Sequence, residues 1–136
     1  MESIRKASLT DIKNYYTLHK DEISKPDETG SIPLNAAIAS SRNEVIELLL
    51  QLGADPNYTS EETRLPLIVA IDYALEEEDY NPDVNDARID MIETLLKYNA
   101  DASKIDVQEE VNAYEYSKQR HPAAEAILER AIKNKR

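Results

Sequence analysis

The sequence predicts an all-α fold, a solenoid of stacked helix–turn–helix units joined by short turns or hairpins, and three observations favour it. Pro-Leu pairs that open helical segments recur 33 residues apart, at Pro33-Leu34 and at Pro66-Leu67. The helix pairs that follow them stop alike, at Gly53-Ala54-Asp55 and at Asn99-Ala100-Asp101. Only two glycines and six prolines interrupt the 136 residues, which is typical of helices rather than of many short strands.

The first unit, residues 1–24, is predicted to contain a helix over residues 8–16. This segment lies one 33-residue period before the next unit and takes the position of a second helix there. Ser8 is a suitable N-cap for this helix, and Asp11 follows three residues later, close to a capping-box arrangement.

The second unit, residues 25–57, combines a first helix that starts at Pro33 with a second helix from Glu44 to Leu52. The second helix stops at Gly53, because glycine tolerates the left-handed conformation that ends many helices. The helix pair of this unit therefore begins at Pro33 and ends at Gly53, two residues whose backbone preferences suit these positions.

The third unit, residues 58–103, repeats this plan with a first helix from Pro66 and a second helix from Ile89 to Tyr98. Its second helix stops at Asn99, the other residue that tolerates the left-handed conformation. This unit is 13 residues longer than the one before it, and the acidic insertion lies near residues 73–85.

The fourth unit, residues 104–136, is predicted to be a C-terminal cap with helices over Val111 to Lys118 and Ala123 to Ile132. His121-Pro122 lies in the turn between them. Together the four units make one domain over residues 1–136, more than the roughly three repeats that a solenoid needs to bury a core.

Residues 30–57, GSIPLNAAIASSRNEVIELLLQLGADPN, resemble the ankyrin repeat without a gap. The family's Thr-Pro-Leu-His corresponds to Ile32 to Asn35, its Val-x-x-Leu-Leu-Leu to Val45 to Leu50, and its Gly-Ala-Asp-x-Asn turn to Gly53 to Asn57. Ile32 lacks the hydroxyl of the usual threonine, and Asn35 replaces the histidine that ties neighbouring repeats together. We expect both departures to loosen this unit without changing its fold.

The resemblance implies a protein that binds other proteins with its turn tips and with the exposed positions of its first helices. Aromatic residues beside charges are frequent binding hot spots, which singles out three tyrosines near these positions. The predicted partner-binding residues are Glu28, Thr29, Ser31, Ser40, Tyr58, Glu61, Glu62, Arg64, Asp72, Tyr73, Glu76, Glu77, Glu78 and Tyr80.

The charge is strongly acidic and is concentrated on the third unit. Residues 60–90 carry a net charge of −8 out of the formal −11. Such a field repels nucleic acid and anionic membranes and steers the chain towards a basic protein. The alternative interpretation is that the charge only keeps a repeat protein soluble.

One weak metal candidate lies in the insertion and just beyond it. Its oxygen ligands are spaced like those of an EF-hand loop, and they are Asp79, Asn81, Asp83, Asn85 and Asp90. Val84 replaces the glycine of that loop, Pro82 lies inside it, and it ends in aspartate rather than in the longer glutamate. We therefore predict no metal site and no cofactor.

No enzymatic motif is present in the sequence. There is no cysteine, no glycine-rich phosphate loop and no His-Glu-x-x-His, and the two histidines, His19 and His121, are expected to be surface residues. Without an apolar leader or membrane span, we expect a chain that is monomeric when free and cytoplasmic, or in the host cytosol if it is a secreted effector.

The leading hypothesis is a non-enzymatic module that binds a basic partner protein through an acidic concave surface. Small acidic chains of this kind resemble bacterial ankyrin proteins, which implies an effector or an immunity protein that neutralises a toxin. The alternative is an ion-responsive or nucleic-acid-mimicking regulator that acts through the acidic insertion.

Overall fold

The structure, a computed structural model, describes residues 4, 6–75, 87–118 and 120–134. This part of the chain contains seven α-helices, a short 3-10 helix at Lys20–Glu22 and one isolated antiparallel bridge, so the predicted all-α class is confirmed. The helices are α1 Leu9–Leu18, α2 Pro33–Ala39, α3 Asn43–Gln51, α4 Pro66–Leu75, α5 Ala87–Lys97, α6 Ala113–Ser117 and α7 Pro122–Asn134. None of these helices is long and apolar enough to cross a membrane.

The helices pack in two rows. In the first row α4 lies between α2 and α6, and in the second row α3 lies between α1 and α5, which also contacts α7. The rows are joined by the pairs α2–α3, α4–α5 and α6–α7. Each helix therefore contacts mainly its neighbours, as expected of stacked units.

The core lies between the two rows and follows the helical period of the apolar residues. On α3 the buried residues are Val45, Ile46, Leu49 and Leu50, which form one stripe along the helix. The first six residues of α4, from Pro66 to Ile71, are all buried. This stretch of α4 is apolar on every face, as suits a helix that is packed against α2, α5 and α6.

The predicted helix boundaries at three polar or glycine positions are confirmed. The Ser8 hydroxyl accepts a hydrogen bond from the Asp11 N–H at 3.1 Å and caps α1. Gly53 and Asn99 both have positive φ, 107° and 75°. After each of them the next N–H donates back to the carbonyl five residues earlier, which satisfies a terminal carbonyl that the helix leaves unpaired.

The C-terminal pair differs from the prediction in two respects. The first of its helices is shorter than predicted, because Asn112 caps α6 and also forms the isolated bridge with Ile105. The expectation that His121 is a surface residue is wrong, since its exposed fraction is 2%. Its Nδ1 accepts a hydrogen bond from the Ala124 N–H at 3.2 Å, so the imidazole is folded in as the cap of α7.

Candidate functional site

A groove of about 480 Å³ lies between the first row of helices and the turns that precede them. Its floor is formed by α2 and α4. Its rim is formed by three turns, the 27–31 turn before α2, the 60–64 turn before α4 and the 106–111 turn before α6. The groove is lined by Asp27, Thr29, Gly30, Ser31, Asn35, Ala36, Ala39, Glu62, Arg64, Val69, Tyr73 and Gln108.

The 27–31 turn is held by its own aspartate. Asp27 Oδ1 accepts hydrogen bonds from the Thr29 hydroxyl at 2.7 Å, the Thr29 N–H at 2.8 Å and the Ser31 N–H at 3.0 Å. The Thr29 hydroxyl, together with these two backbone N–H groups, holds the pKa of the Asp27 carboxyl below its usual value. The side chain therefore stays charged while it fixes the turn.

The 27–31 and 60–64 turns are in direct contact. Gly30 has a φ of +81°, and a Cβ at this position would lie 2.5 Å from the Glu62 carbonyl oxygen. Its own carbonyl accepts a hydrogen bond from the buried Thr63 hydroxyl at 2.6 Å. Glycine is needed here for both reasons, the backbone conformation and the close approach of Glu62.

The 106–111 turn is joined to the preceding unit through the buried carboxylate of Asp106. Its Oδ1 accepts hydrogen bonds from the Leu65 N–H at 2.7 Å and the Thr59 hydroxyl at 3.0 Å. Its Oδ2 accepts one from the Glu109 N–H at 2.8 Å. A carboxylate with three donors can remain buried, and here it fixes one turn against the next.

Arg64 is the centre of a polar network that crosses units. Its guanidinium is paired with Asp72, whose Oδ1 accepts a hydrogen bond from the Tyr116 hydroxyl at 2.6 Å. A second carboxylate, Glu109, lies 3.7 Å from the guanidinium. Partial burial alone lowers the pKa of Arg64, but Asp72, Tyr116 and Glu109 outweigh it and raise that pKa. The positive charge in the groove is thus already neutralised within the protein.

Asn35 connects two units from the floor of the groove. It is 7% exposed, and its Nδ2 donates a hydrogen bond to the Arg64 carbonyl at 3.0 Å. An asparagine at this position thus still makes a bond between units. Its Oδ1 is buried and has no hydrogen-bond partner among the described residues. An unpaired buried acceptor costs about 1–3 kcal/mol, which fits the expectation that this position loosens the unit.

Three glutamates at the tips of the first two rim turns carry charges that no described side chain pairs. The carboxylates of Glu28, Glu61 and Glu62 are exposed, and within the described ranges none of them takes part in an ion pair. Because Arg64 is compensated by Asp72, these glutamates determine the sign of the charge at the mouth of the groove. The rim is negative.

Five of the predicted partner-binding residues come together as lining of the groove, and they are Thr29, Ser31, Glu62, Arg64 and Tyr73. Glu28 and Glu61 lie exposed at the tips of their turns. These seven residues form one continuous surface along the 27–31 and 60–64 turns and the adjoining helix α4.

Three other predicted residues are engaged within the protein. The Ser40 hydroxyl donates to the Ala36 carbonyl at 2.8 Å, at the end of α2. Tyr58 is half-buried and packs against the core. Asp72 belongs to the Arg64 network rather than to the lining of the groove.

The remaining predicted residues lie in or next to the insertion. Glu76, Glu77, Glu78, Tyr80, Asp79, Asn81, Asp83 and Asn85 are outside the described residues. Asp90, the last member of the weak metal candidate, lies on α5, where its carbonyl accepts a hydrogen bond from the Thr94 hydroxyl. Within the described ranges no group of three His, Cys, Asp or Glu side chains is placed to hold a metal ion.

Asp27 and Asn35 also line the groove, although neither is among the partner-binding residues predicted from the sequence. Asp27 carries a local signal, because an aspartate two residues before threonine and three before glycine is typical of a side-chain-capped turn. Asn35 carries no such signal. Its position in the groove follows from the packing of α2 beside the 60–64 turn.

Comparison with known proteins identifies the repeat. Residues 29–61 match the family model of the ankyrin repeat, and no curated protein matches the chain significantly. The matched segment contains α2, α3 and parts of two rim turns, and the described helices pack as stacked units. Ankyrin-repeat domains are generally non-catalytic modules that bind other proteins. The chain therefore contains an ankyrin repeat at residues 29–61, within helices that stack as in an all-α ankyrin-repeat fold.

Proposed function

We propose that this chain binds a basic surface of another protein through the groove and its acidic rim. The observation that carries the proposal is the set of carboxylates at the turn tips, Glu28, Glu61 and Glu62, which no described side chain pairs, beside a groove whose lining residue Arg64 is compensated. Unpaired surface charges of one sign steer a partner of the opposite sign and fix its orientation.

The rigidity of the rim supports this function. The Thr63 hydroxyl joins the first two turns, and the Asp106 carboxylate joins the third turn to Leu65, which directly follows the second turn. A surface that is already ordered loses less conformational entropy when a partner binds. The described rim is thus suited to recognition without rearrangement.

In this proposal the chain is one domain of four units, residues 1–24, 25–57, 58–103 and 104–136, and the groove extends from the second unit to the fourth. The acidic residues of the insertion would enlarge the same negative field. A basic toxin neutralised by an immunity protein, or a basic target engaged by an effector, has the partner chemistry that this surface requires.

The alternative function is an ion-responsive or nucleic-acid-mimicking regulator. It depends on the insertion, most of which is outside the described residues. No observation on the described surface favours it over the binding of a basic protein.

The test is capture of partners from the native source on the immobilised full chain, followed by mass spectrometry. The expected partner is basic, and its affinity should fall steeply between about 50 and 300 mM salt because the interaction is screened. Glu28→Gln, Glu61→Gln and Glu62→Gln, combined in one variant, should weaken binding about tenfold, which corresponds to about 1.4 kcal/mol.

A matched control changes the same number of charges on the second row of helices. Three of the glutamates on that row, Glu44, Glu93 and Glu129, are exposed or half-exposed and serve for this control. Replacing them with glutamine should leave the affinity for the partner within about twofold, because the second row does not line the groove. The fold should also be retained, because surface ion pairs contribute little to stability. A partner that binds both triple variants equally, or that ignores salt, would contradict the proposed function.

A further inference from the structure

The groove has room for one long side chain and the solvent around it. Its volume of about 480 Å³ is within the range of about 300–1,000 Å³ for ligand sites. Part of its lining is apolar, from Ala36 and Ala39 on α2 and Val69 on α4. Such a surface suits the hydrocarbon part of an amphipathic side chain, whose charged end stays near the polar rim.

Two carboxylates face the opening from different turns. Asp27 uses Oδ1 for its own turn, and among the described residues its Oδ2 accepts no hydrogen bond. Glu62 is exposed, and no described side chain forms an ion pair with it. The lowered pKa of Asp27 keeps its charge in place. A cation in the groove would therefore meet two negative charges that no residue has yet compensated.

A third acceptor lies at the floor. Asn35 is 7% exposed, and its Oδ1 has no hydrogen-bond partner within the described part of the chain. The amide cannot exchange its oxygen and nitrogen freely, because Nδ2 donates to the Arg64 carbonyl. The oxygen is thus held in the groove lining that also contains the two carboxylates, as a buried acceptor that lacks a donor among the described residues.

An aromatic ring completes the lining. Tyr73 is half-buried on α4 and borders the groove. A planar cation can stack on such a ring, whereas an ammonium group acts as a point charge. The positive group already there, Arg64, is paired with Asp72 and lies 3.7 Å from Glu109, so its repulsion is reduced.

We propose that the groove between the 27–31 and 60–64 turns is a subsite for one arginine side chain of the basic partner. This inference rests on the proposed function and adds to it the type of partner residue, an arginine, that anchors the complex. The guanidinium offers five donors in a plane, enough to serve Asp27, Glu62 and the Asn35 oxygen while it stacks on Tyr73. Lysine offers three donors and no plane, so it matches the site less well.

The test uses a probe that does not depend on the partner. Nα-acetyl-arginine methylamide is titrated into the isotope-labelled full chain, and backbone and side-chain amide resonances are followed by NMR. The neutral citrulline analogue and the lysine analogue are titrated in parallel. We expect saturable shifts at Thr29, Gly30, Ser31 and the Asn35 side-chain amide, in the millimolar range usual for so small a ligand.

The three probes are expected to differ. Lysine should bind at least threefold more weakly than arginine, and citrulline, which has a similar shape without the charge, should give no saturable shift. Equal binding of arginine and lysine, equal binding of arginine and citrulline, or shifts that map outside the groove would each overturn the arginine subsite.

Two variants test the location without disturbing the turns. Glu62→Gln removes an exposed charge and should weaken arginine binding at least threefold, whereas Glu93→Gln on α5 should not change it. Ala39→Leu fills the groove without a charge change and should abolish binding, and Ala126→Leu on the exposed face of α7 is its control. Unchanged arginine binding in both groove variants would disprove the assignment.

Different results would contradict the proposed function and the arginine subsite. If a basic partner is captured with the expected salt dependence but the groove ignores arginine, the subsite is wrong and the proposed function stands. If arginine binds in the groove but no basic protein is captured, the proposed function is wrong and the subsite stands as a site for the side chain alone.

Discussion

The Thr63 hydroxyl donates a hydrogen bond to the Gly30 carbonyl at 2.6 Å, and the two residues are 33 positions apart in the chain. This separation is the period of the repeat, so a regularity of the sequence becomes a direct contact between consecutive turns. Thr63 is 1% exposed, and the bond is shielded from water. It fixes the spacing of the two turns that carry the rim of the groove.

Replacement of Thr63 by valine keeps the volume of the side chain and removes this bond. We expect Thr63→Val to lower the free energy of unfolding by about 1–2 kcal/mol, because the Gly30 carbonyl loses its partner. Urea unfolding followed by circular dichroism measures the loss. Thr17→Val on the exposed face of α1 is the control and should cost less, and equal losses would show that the contact between the turns is not important for stability.

Gly30 and Gly53 allow the cost of close packing to be separated from the cost of backbone strain. Both have positive φ, 81° and 107°, but a Cβ at Gly30 would lie 2.5 Å from the Glu62 carbonyl, whereas at Gly53 nothing lies within 4 Å. Gly53→Ala should cost about 1–2 kcal/mol from the strain of the left-handed conformation. Gly30→Ala should cost at least about 1–3 kcal/mol more, because the contact adds to the strain. Equal midpoints in urea would contradict the packing of these turns.

The bond between Tyr116 and Asp72 is expected to couple the third and fourth units. A double-mutant cycle of Tyr116→Phe and Asp72→Asn should give a coupling free energy of about 1–2 kcal/mol, since a hydroxyl donates to a charged acceptor. The comparison cycle is Tyr98→Phe with Glu47→Gln, whose hydrogen bond of 3.0 Å lies on the second row. Its coupling should be below about 1 kcal/mol, and a larger value there would be evidence against the special role of the Asp72 pair.

Tyr16 is expected to make the fold sensitive to alkali. Burial, with smaller effects of Tyr15 and Glu22, raises the pKa of Tyr16 from 10.0 to about 12. The stability that the buried, neutral Tyr16 phenol contributes is therefore complete below pH 10, where the phenol is neutral in the folded and the unfolded state. This contribution is lost as the pH rises towards 12. The difference between the pKa values of Tyr16 in the folded and unfolded states corresponds to about 2–3 kcal/mol in the free energy of unfolding.

Unfolding by urea at pH 9 and at pH 11 tests this expectation. The wild type should lose more stability over this interval than Tyr16→Phe, which cannot ionise. Tyrosinate absorbance reports the ionisation of all eight tyrosines, and the difference between the wild type and Tyr16→Phe isolates that of Tyr16. Identical losses in the wild type and the variant would place the alkaline sensitivity elsewhere.

Much of the fold was predictable because its signals are local. Ser8 lies at the start of a helix, and Gly53 and Asn99 lie at helix ends, where the hydrogen bonds join residues close together in the chain. The preferences of these residue types for helix ends do not depend on tertiary contacts. The candidate site was only partly predictable. Thr29, Ser31 and Glu62 were placed by their position in the repeat, whereas Asp72 was expected to meet a partner and is engaged with Arg64.

By itself, the sequence determined the class of the fold, the 33-residue period and the acidic character of the rim. Periodicity and helix ends depend on residues that are close together in the chain, and net charge is a sum over the sequence. Only the tertiary structure decided which charges remain available. Arg64 is compensated by Asp72, His121 is buried as a helix cap, and the buried Asn35 oxygen lacks a donor among the described residues. Each of these depends on distances of a few ångströms between side chains, which are set by how one unit packs on the next.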